Sequence, residues 1–146
     1  MIKILLFTLF MATNVSAETS WKTQVQKLLP SPLSQLQPQK TTLTDIEKLL
    51  GKAHLVEGKD YYWEREGFKY ALKLTVNDKK ILTTLHYTFS GERPSLDKLK
   101  TKLPLSEMRP YPTHGKAAGR FLIYKEKNAE LIIDPVSKTI HSVQLP

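Results

Sequence analysis

The sequence predicts an α+β domain in which short helices pack on an antiparallel sheet. Residues 68–76 and 81–89 alternate apolar and polar side chains with the two-residue period of a β-strand. Asn77 and Asp78, which stand between them, favour a tight turn, so the two segments are expected to form a hairpin. Shorter apolar or aromatic runs, each bounded by turn-forming residues, add further strands: 61–65, 121–125, 129–133 and 139–143.

Two segments ahead of these strands carry apolar residues at the spacing of an amphipathic helix. The first lies at 21–29, with Ser20 as the expected N-cap residue. Residues 30–40 are rich in Pro, Gln and Ser, which predicts an extended linker. The first helix is therefore expected to pack loosely.

The second helix is predicted over the stripe that runs from Leu43 to Leu50. Thr44 and Glu47 form a capping box, in which the hydroxyl and the carboxylate each satisfy a backbone N–H that has no partner within the helix. Gly51 stands where a helix C-terminus favours a left-handed residue.

The order of helix, loop and three strands occurs twice, in residues 41–90 and 95–146. In the second half Ser95 is the expected cap of a short helix, and residues 104–119 form a long irregular stretch. Duplication of one unit and coincidence in a small α+β domain both explain this order. The domain organisation is thus a signal peptide at 1–17, a helix and linker at 18–40, and an α+β domain at 41–146 with two candidate halves.

The N-terminus has the three parts of a secretory signal peptide. Lys3 supplies a positive charge, Ile4 to Met11 form a short apolar core, and Val15 to Ala17 give the small residues that a signal peptidase reads. The apolar core is far shorter than the roughly 20 residues that span a bilayer. We therefore expect cleavage after Ala17, no membrane span, and a periplasmic or secreted location in a bacterial envelope.

Composition narrows the classes of partner. The chain of 146 residues has 22 Lys and Arg against 14 Asp and Glu, a net charge of +8 that becomes +7 without Lys3. Such a charge favours an acidic envelope protein, an anionic lipid or a cell-wall polymer, although solubility alone also explains it. Export argues against nucleic acid as a partner, so we predict none. The chain has no Cys, which excludes disulfides, thiol chemistry and thiolate metal sites.

The segment from Thr41 to Phe89 resembles the small-protein-A/OmlA (BamE-like) family and the related β-lactamase-inhibitor-protein (BLIP-like) fold. The resemblance rests on the Thr-rich helix start, on Leu50 and Gly51, and on the aromatic strand that begins at Tyr61. It implies an exported, non-enzymatic protein that makes protein–protein contacts in the envelope. The chain departs from the family in having no Cys to acylate and in having Ala53 where Pro is usual.

No residue pattern points to catalysis, a metal or a cofactor. The four histidines, at 54, 86, 114 and 141, lack the i, i+2 or i, i+4 spacing typical of metal sites. Glu64 and Glu66 are the nearest pair of carboxylates, and such a pair on one strand face is typical of a solvated edge. We therefore predict no catalytic residue, no metal site and no cofactor.

Two groups of residues are candidates for binding. The first combines guanidinium, aromatic and other polar side chains in or beside the proline-stiffened stretch at 104–119: Arg109, Tyr111, His114, Lys116 and Arg120. The second consists of Tyr62 and Trp63 of the aromatic strand, in which Tyr61 and Trp63 share one face and Tyr62 faces the other. A simple connector for the stretch, and core packing for two of the three aromatic residues, remain the alternatives.

These observations predict a non-catalytic binding or assembly module that acts through protein–protein contacts in the cell envelope. Two alternatives belong to other classes. One is an inhibitor or immunity-type protein directed against a secreted enzyme, and the other is a cell-wall-active enzyme.

Overall fold

A computed structural model describes residues 20–65, 67–100, 102–112 and 120–146. Its main element is one antiparallel sheet of eight strands, in the order β1-β2-β3-β4-β8-β7-β6-β5. The strands are β1 Leu55–Glu57, β2 Asp60–Arg65, β3 Phe68–Val76, β4 Leu82–Thr88, β5 Arg109–Pro110, β6 Leu122–Glu126, β7 Ala129–Asp134 and β8 Thr139–Leu145. The described chain has two α-helices, α1 Trp21–Leu28 and α2 Leu43–Leu50.

The predicted α+β class is therefore wrong, because the fold is dominated by its sheet. Each α-helix has only eight residues, and the helix expected after Ser95 is a 3₁₀ turn at Leu96–Lys98. The Ser95 hydroxyl does accept a hydrogen bond from the Asp97 N–H at 3.2 Å. The cap starts one helical turn, but the apolar run after it is too short to continue the helix. A helix needs many residues to offset the unfavourable free energy of forming its first turn.

Strands β1 and β5 were not predicted from the sequence. The stretch at 104–119, predicted to be irregular, contains a 3₁₀ turn at Leu105–Glu107 and then β5, which pairs with β6. The two halves of the sheet meet where β4 pairs with β8. From that junction, β3, β2 and β1 follow on one side, and β7, β6 and β5 follow on the other. Whether this arrangement descends from a duplication stays a hypothesis.

The cap of α2 differs from the predicted one. Thr42, rather than Thr44, is the N-cap residue, and its hydroxyl accepts a hydrogen bond from the Asp45 N–H at 3.2 Å. The same hydroxyl donates to the Asp45 carboxylate at 2.9 Å. At the other end Gly51 has a φ of +76° and its N–H donates to the Glu47 carbonyl, as the sequence predicts.

One face of the sheet, the inner face, carries the core. Tyr61, Leu74, Leu85 and Leu145 are successive register partners from β2 to β8, and all are buried. The next row on the same face is also buried and consists of Trp63, Leu72, Tyr87 and Val143. Because strand side chains alternate between faces, the residues between them lie on the opposite, outer face.

The N-terminal segment closes the inner face. The Trp21 ring contacts the Tyr124 ring edge-on at 5.7 Å, and its Nε1 donates to Glu126 Oε2 at 2.8 Å. The expected extended linker instead includes a 3₁₀ turn at Leu33–Gln35, and Leu33 and Leu36 have 0% exposure. Their burial ties this segment to the core, so the expectation of loose packing does not hold.

An irregularity in the β2–β3 pairing moves two aromatic residues out of the core. Between the pairs Trp63–Leu72 and Arg65–Phe68, β2 advances by two residues and β3 by four. The sequence places Phe68 and Tyr70 in one apolar row with Leu72, but they are 42% and 53% exposed. The alternation of β3 is interrupted at Ala71 and Leu72, which are consecutive and both buried, and Tyr70 then lies against Tyr62 of the outer face.

Residues 1–17, which carry the predicted signal peptide, lie outside the described residues. His114, Lys116 and Glu66 lie outside them as well. In the part of the chain that the structure describes, no helix is long and apolar enough to cross a bilayer.

Candidate binding surface

An exposed apolar cluster lies beside β1, mainly on the outer face of the sheet. We call it the edge patch, and it consists of Leu55, Tyr62, Phe68 and Tyr70. Leu55 and Tyr62 are register partners. The Tyr62 and Tyr70 rings meet edge-to-face, with their centroids 5.7 Å apart and an interplanar angle of 86°. Phe68 lies two residues before Tyr70 on β3 and is 42% exposed.

The Tyr62 hydroxyl stays protonated at ordinary pH. Burial raises the pKa of Tyr62, and the negative charges of Asp60 and Glu57 raise it further. The phenol is thus a neutral group that can donate one hydrogen bond from the middle of an apolar patch. An amphipathic aromatic group of this kind suits a protein contact.

Strand β1 borders the edge patch and ends the sheet on that side. Its three residues are all exposed, and it pairs only with β2 among the described strands. At the opposite end of the sheet, β5 contains Pro110, which has no N–H to donate. The β1 edge therefore offers backbone donors and acceptors to another strand, whereas the β5 edge is partly blocked.

A second group of side chains surrounds Asp134, which has 0% exposure. Arg120 donates to Asp134 Oδ2 from Nε at 3.2 Å and from Nη2 at 3.0 Å, and Arg93 Nη1 lies 4.0 Å from the same oxygen. Oδ1 accepts from the backbone N–H groups of Val136 and Ser137 at 3.0 and 3.3 Å. Burial alone would raise the pKa of Asp134, but the N–H groups of Ser137 and Val136 and the Arg120 guanidinium outweigh it and lower the pKa.

Two rings complete this Asp134 cluster. Phe121 stacks on His141 with centroids 4.4 Å apart and an interplanar angle of 24°. The guanidinium carbons of Arg93 and Arg120 lie 5.8 and 5.5 Å from the centre of the Phe121 ring. Burial, followed by the positive charge of Arg93, lowers the pKa of His141, so its imidazole is neutral at pH 7.

The Asp134 cluster is built for stability. Its one carboxylate faces two guanidinium groups, and both arginines also cover the Phe121 ring. Buried charges need such partners because an unpaired one is costly. His141 Nδ1 is buried and has no hydrogen-bond partner among the described residues.

A row of polar side chains crosses the outer face between the two groups. Tyr62, Lys73, His86, Gln144 and Glu130 are successive register partners. Burial lowers the pKa of His86, and the Lys73 ammonium lowers it further while Glu130 opposes the change. His86 is therefore neutral at pH 7, and the sheet centre carries no histidine charge.

The binding residues predicted from the sequence are separated in the structure. Arg109 is exposed on β5 opposite Ile123, and the half-buried Tyr111 donates its backbone N–H to the Phe121 carbonyl at 2.8 Å. Arg120 is engaged by Asp134, although 57% of its side chain is exposed. His114 and Lys116 lie outside the described residues, so the structure does not test their part in this group.

Of the aromatic strand, Tyr62 lies on the outer face and Trp63 in the core. Trp63 is 3% exposed, and its Nε1 donates to the Gly51 carbonyl at 3.1 Å. With its polar group satisfied and its ring covered, Trp63 offers no surface to a partner. Core packing, the alternative for two of the three aromatic residues, describes Tyr61 and Trp63.

Within the described ranges, no three His, Asp or Glu side chains come together as a metal site. His54 Nδ1 accepts a hydrogen bond from the Glu64 N–H at 3.0 Å. This imidazole therefore stabilises the C-terminal end of β2. The other member of the predicted carboxylate pair, Glu66, is not among the described residues.

Sequence reasoning identified Tyr62 and Arg120 as candidates but missed the other members of the edge patch and of the Asp134 cluster. The strict alternation of 68–76 hides the irregularity that exposes Phe68 and Tyr70. A signal for the cluster is present, since Asp134 precedes Pro135 at a turn, and Asp there commonly bonds the N–H two residues on. Its ionic partners, however, lie far along the chain.

Comparisons with known proteins give little. No protein-family model and no curated protein matches the chain. A solved structure that is similar to it is the crystal structure of a DUF4309 family protein from Bacillus subtilis, at 14% sequence identity. That match covers 88% of this chain and 94% of the other, with a TM-score of 0.45.

Proposed function

We propose that this protein is an exported, non-catalytic binding module that acts through protein–protein contacts in the cell envelope, with the edge patch as its contact surface. The observation that supports the proposal best is the pair of exposed aromatic side chains, Phe68 and Tyr70, beside a strand edge that has no neighbour among the described strands.

Aromatic side chains of this kind are effective anchors. Tyr70 is 53% exposed, yet its ring already contacts Tyr62, so little side-chain freedom remains to be lost on binding. Tyr and Trp dominate binding energy at interfaces because they bury a large area with few rotatable bonds. Leu55 extends the same apolar surface toward the sheet edge.

The β1 edge adds a mode of recognition. An extended segment of a partner can pair with an exposed edge strand through backbone hydrogen bonds, while its alternate side chains contact the neighbouring surface. Here that neighbouring surface is the edge patch. The positive net charge of the chain, +8 overall, favours an acidic partner and speeds its approach.

Affinity capture from envelope extract tests this proposal. Tyr70→Ser and Phe68→Ser remove patch side chains, and Val136→Ser is the matched control, because Val136 is an exposed aliphatic residue in the β7–β8 turn. We expect the wild type and the Val136 variant to recover the same partner, and the two patch variants to lose it. Equal recovery by all four proteins would remove the edge patch from the proposal.

The non-catalytic part has a separate test. Purified peptidoglycan, the substrate of the alternative enzyme class, should remain intact when incubated with the protein. Release of soluble fragments by the wild type, lost in Glu64→Gln, would contradict the proposal and favour a cell-wall-active enzyme.

A further inference from the structure

A pocket separate from the edge patch lies along residues 96–100 and 102–105. Its volume is about 410 Å³, within the range of about 300–1,000 Å³ that is typical of small-molecule sites. Four leucines form its apolar lining: Leu96, Leu99, Leu103 and Leu105. We call this the leucine pocket.

The walls of the leucine pocket are held in place from two sides. The Leu96 N–H donates to the Lys138 carbonyl at 2.9 Å, which ties the start of the segment to the turn between β7 and β8. The Lys100 N–H donates to Gln24 Oε1 at 2.7 Å, which ties its middle to α1. The pocket is therefore largely formed before a ligand enters it, and preformed pockets lose less on binding.

The lining leaves apolar surface uncovered. Leu99 is buried in the main core and forms the floor. Leu103 and Leu105 pack against that core but are only partly buried, so they keep accessible surface toward the pocket. Covering such surface is favourable for an apolar ligand.

The rim of the pocket is cationic. Lys100 and Lys102 line it, and both are exposed. Neither forms an ion pair within the described chain. Asp97 also lines the pocket, but the neighbouring Lys98 is exposed as well, so the rim keeps a positive balance.

We propose that the leucine pocket binds a fatty acid, with its alkyl chain between the leucines and its carboxylate at Lys100 and Lys102. Lysine suits this position because its methylene stem covers an alkyl chain while its ammonium group stays in water beside the carboxylate. The volume favours the single chain of a fatty acid over the two chains of a bilayer lipid.

Displacement of a fluorescent fatty acid from the purified protein tests the proposal, with dodecanoate as competitor below its micelle concentration. Each buried methylene contributes about fourfold in affinity, so decanoate, two methylenes shorter, should bind roughly fifteenfold more weakly. Dodecanol, which lacks the charge, should also bind more weakly than dodecanoate.

Variants at the rim test the head group. Lys100→Gln and Lys102→Gln should each weaken dodecanoate binding by up to about fivefold, the range of exposed ion pairs. Lys79→Gln is the matched control, because Lys79 is an exposed lysine in the β3–β4 turn. These surface changes leave the leucines in place, so circular dichroism and urea midpoints should match those of the wild type.

Two outcomes would overturn the fatty-acid proposal. One is the absence of displacement by dodecanoate. The other is binding to anionic phospholipid vesicles without binding of the monomeric acid, which would indicate attraction to a charged surface. Tyr70→Ser should leave dodecanoate binding unchanged, since Tyr70 lies outside the leucine pocket, so this test and that of the edge patch can fail separately.

Discussion

Replacing Asp134 by Ala is expected to destabilise the fold by about 3 kcal/mol. The buried carboxylate accepts two hydrogen bonds from Arg120 and one each from the N–H groups of Val136 and Ser137. Removing one partner of a buried ion pair typically costs about 3–5 kcal/mol. The lower end applies here because 57% of the Arg120 side chain is exposed and water can solvate part of its charge.

The Asn variant separates charge from hydrogen bonding. Asp134→Asn keeps a carbonyl oxygen for the two backbone N–H groups and loses the ionic contact with Arg120. We therefore expect a smaller loss, about 1–2 kcal/mol, close to that of one hydrogen bond to a charged group. Ala loses both kinds of contact, so the ranking is wild type, then Asn, then Ala.

Urea unfolding at pH 7 measures both changes. Trp21 and Trp63 are buried, so their fluorescence reports unfolding of the core. With an m-value of about 1–3 kcal/mol/M, the Ala variant should shift the midpoint by about 1–3 M. Asp78→Asn is the control, because Asp78 is exposed and pairs with Lys59 at 2.8 Å on the surface. Its midpoint should stay within the experimental error.

The pH dependence gives an independent check. Since the folded state lowers the pKa of Asp134, its contribution is present above the unfolded-state value of about 3.9 and is lost as the pH falls through the folded-state value. The Asn variant should lack this part of the acid-induced loss. A loss below about 1 kcal/mol for Ala, or equal losses for Ala and Asn, would refute this account of the cluster.

Two further predictions concern the core and the outer face. Leu33→Ala should lower the free energy of unfolding by about 2–5 kcal/mol, because Leu33 has 0% exposure. A loss within about 0.5 kcal/mol, typical of a surface substitution, would instead indicate that the 30–40 segment is a loosely packed linker. Burial and Lys73 lower the pKa of His86, so the unfolded chain takes up the proton more readily and stability should fall as the pH drops below about 6.5. The lowered pKa of His141 has the same effect, so His86→Gln should reduce, without abolishing, the fall of the urea midpoint between about pH 7.5 and about pH 5.5. An unchanged slope would contradict the assignment.

The strands could be predicted well because their signal is local. The expected strand at 68–76 is β3, and those at 61–65, 81–89 and 129–133 agree with β2, β4 and β7 to within a residue or so at either end. Alternation of side chains reflects the pleat of a single strand and needs no knowledge of its neighbours. Gly51 is a similar case, since a positive φ at a helix end is a local requirement.

The helical content and the fold class could not be predicted from such local patterns. The apolar stripe at 43–50 marks α2, but the shift of its cap from Thr44 to Thr42 depends on an added contact, the Leu43 N–H donating to the Lys80 carbonyl at 2.8 Å. Strand β1 is exposed throughout, so it has no buried face to leave an alternating pattern. Its existence depends on pairing with β2.

The candidate site was predicted only in part. Of the two aromatic candidates, Tyr62 lies on the outer face and Trp63 in the core. The alternation of 68–76 puts Phe68 and Tyr70 in one apolar row with Leu72, and a one-dimensional pattern contains no information about where that alternation is interrupted. Arg120 is a predicted binding residue, and only the fold shows its two hydrogen bonds to Asp134.

By itself the sequence determined where six of the eight described strands form and where α2 ends, because these depend on neighbours along the chain. It also carries the predicted export signal at residues 1–17. The tertiary structure alone decided that β4 lies beside β8, that Phe68 and Tyr70 leave the core, and that the leucines at 96–105 line a pocket. Each of these depends on contacts between residues distant in sequence, and local propensity carries no record of such contacts.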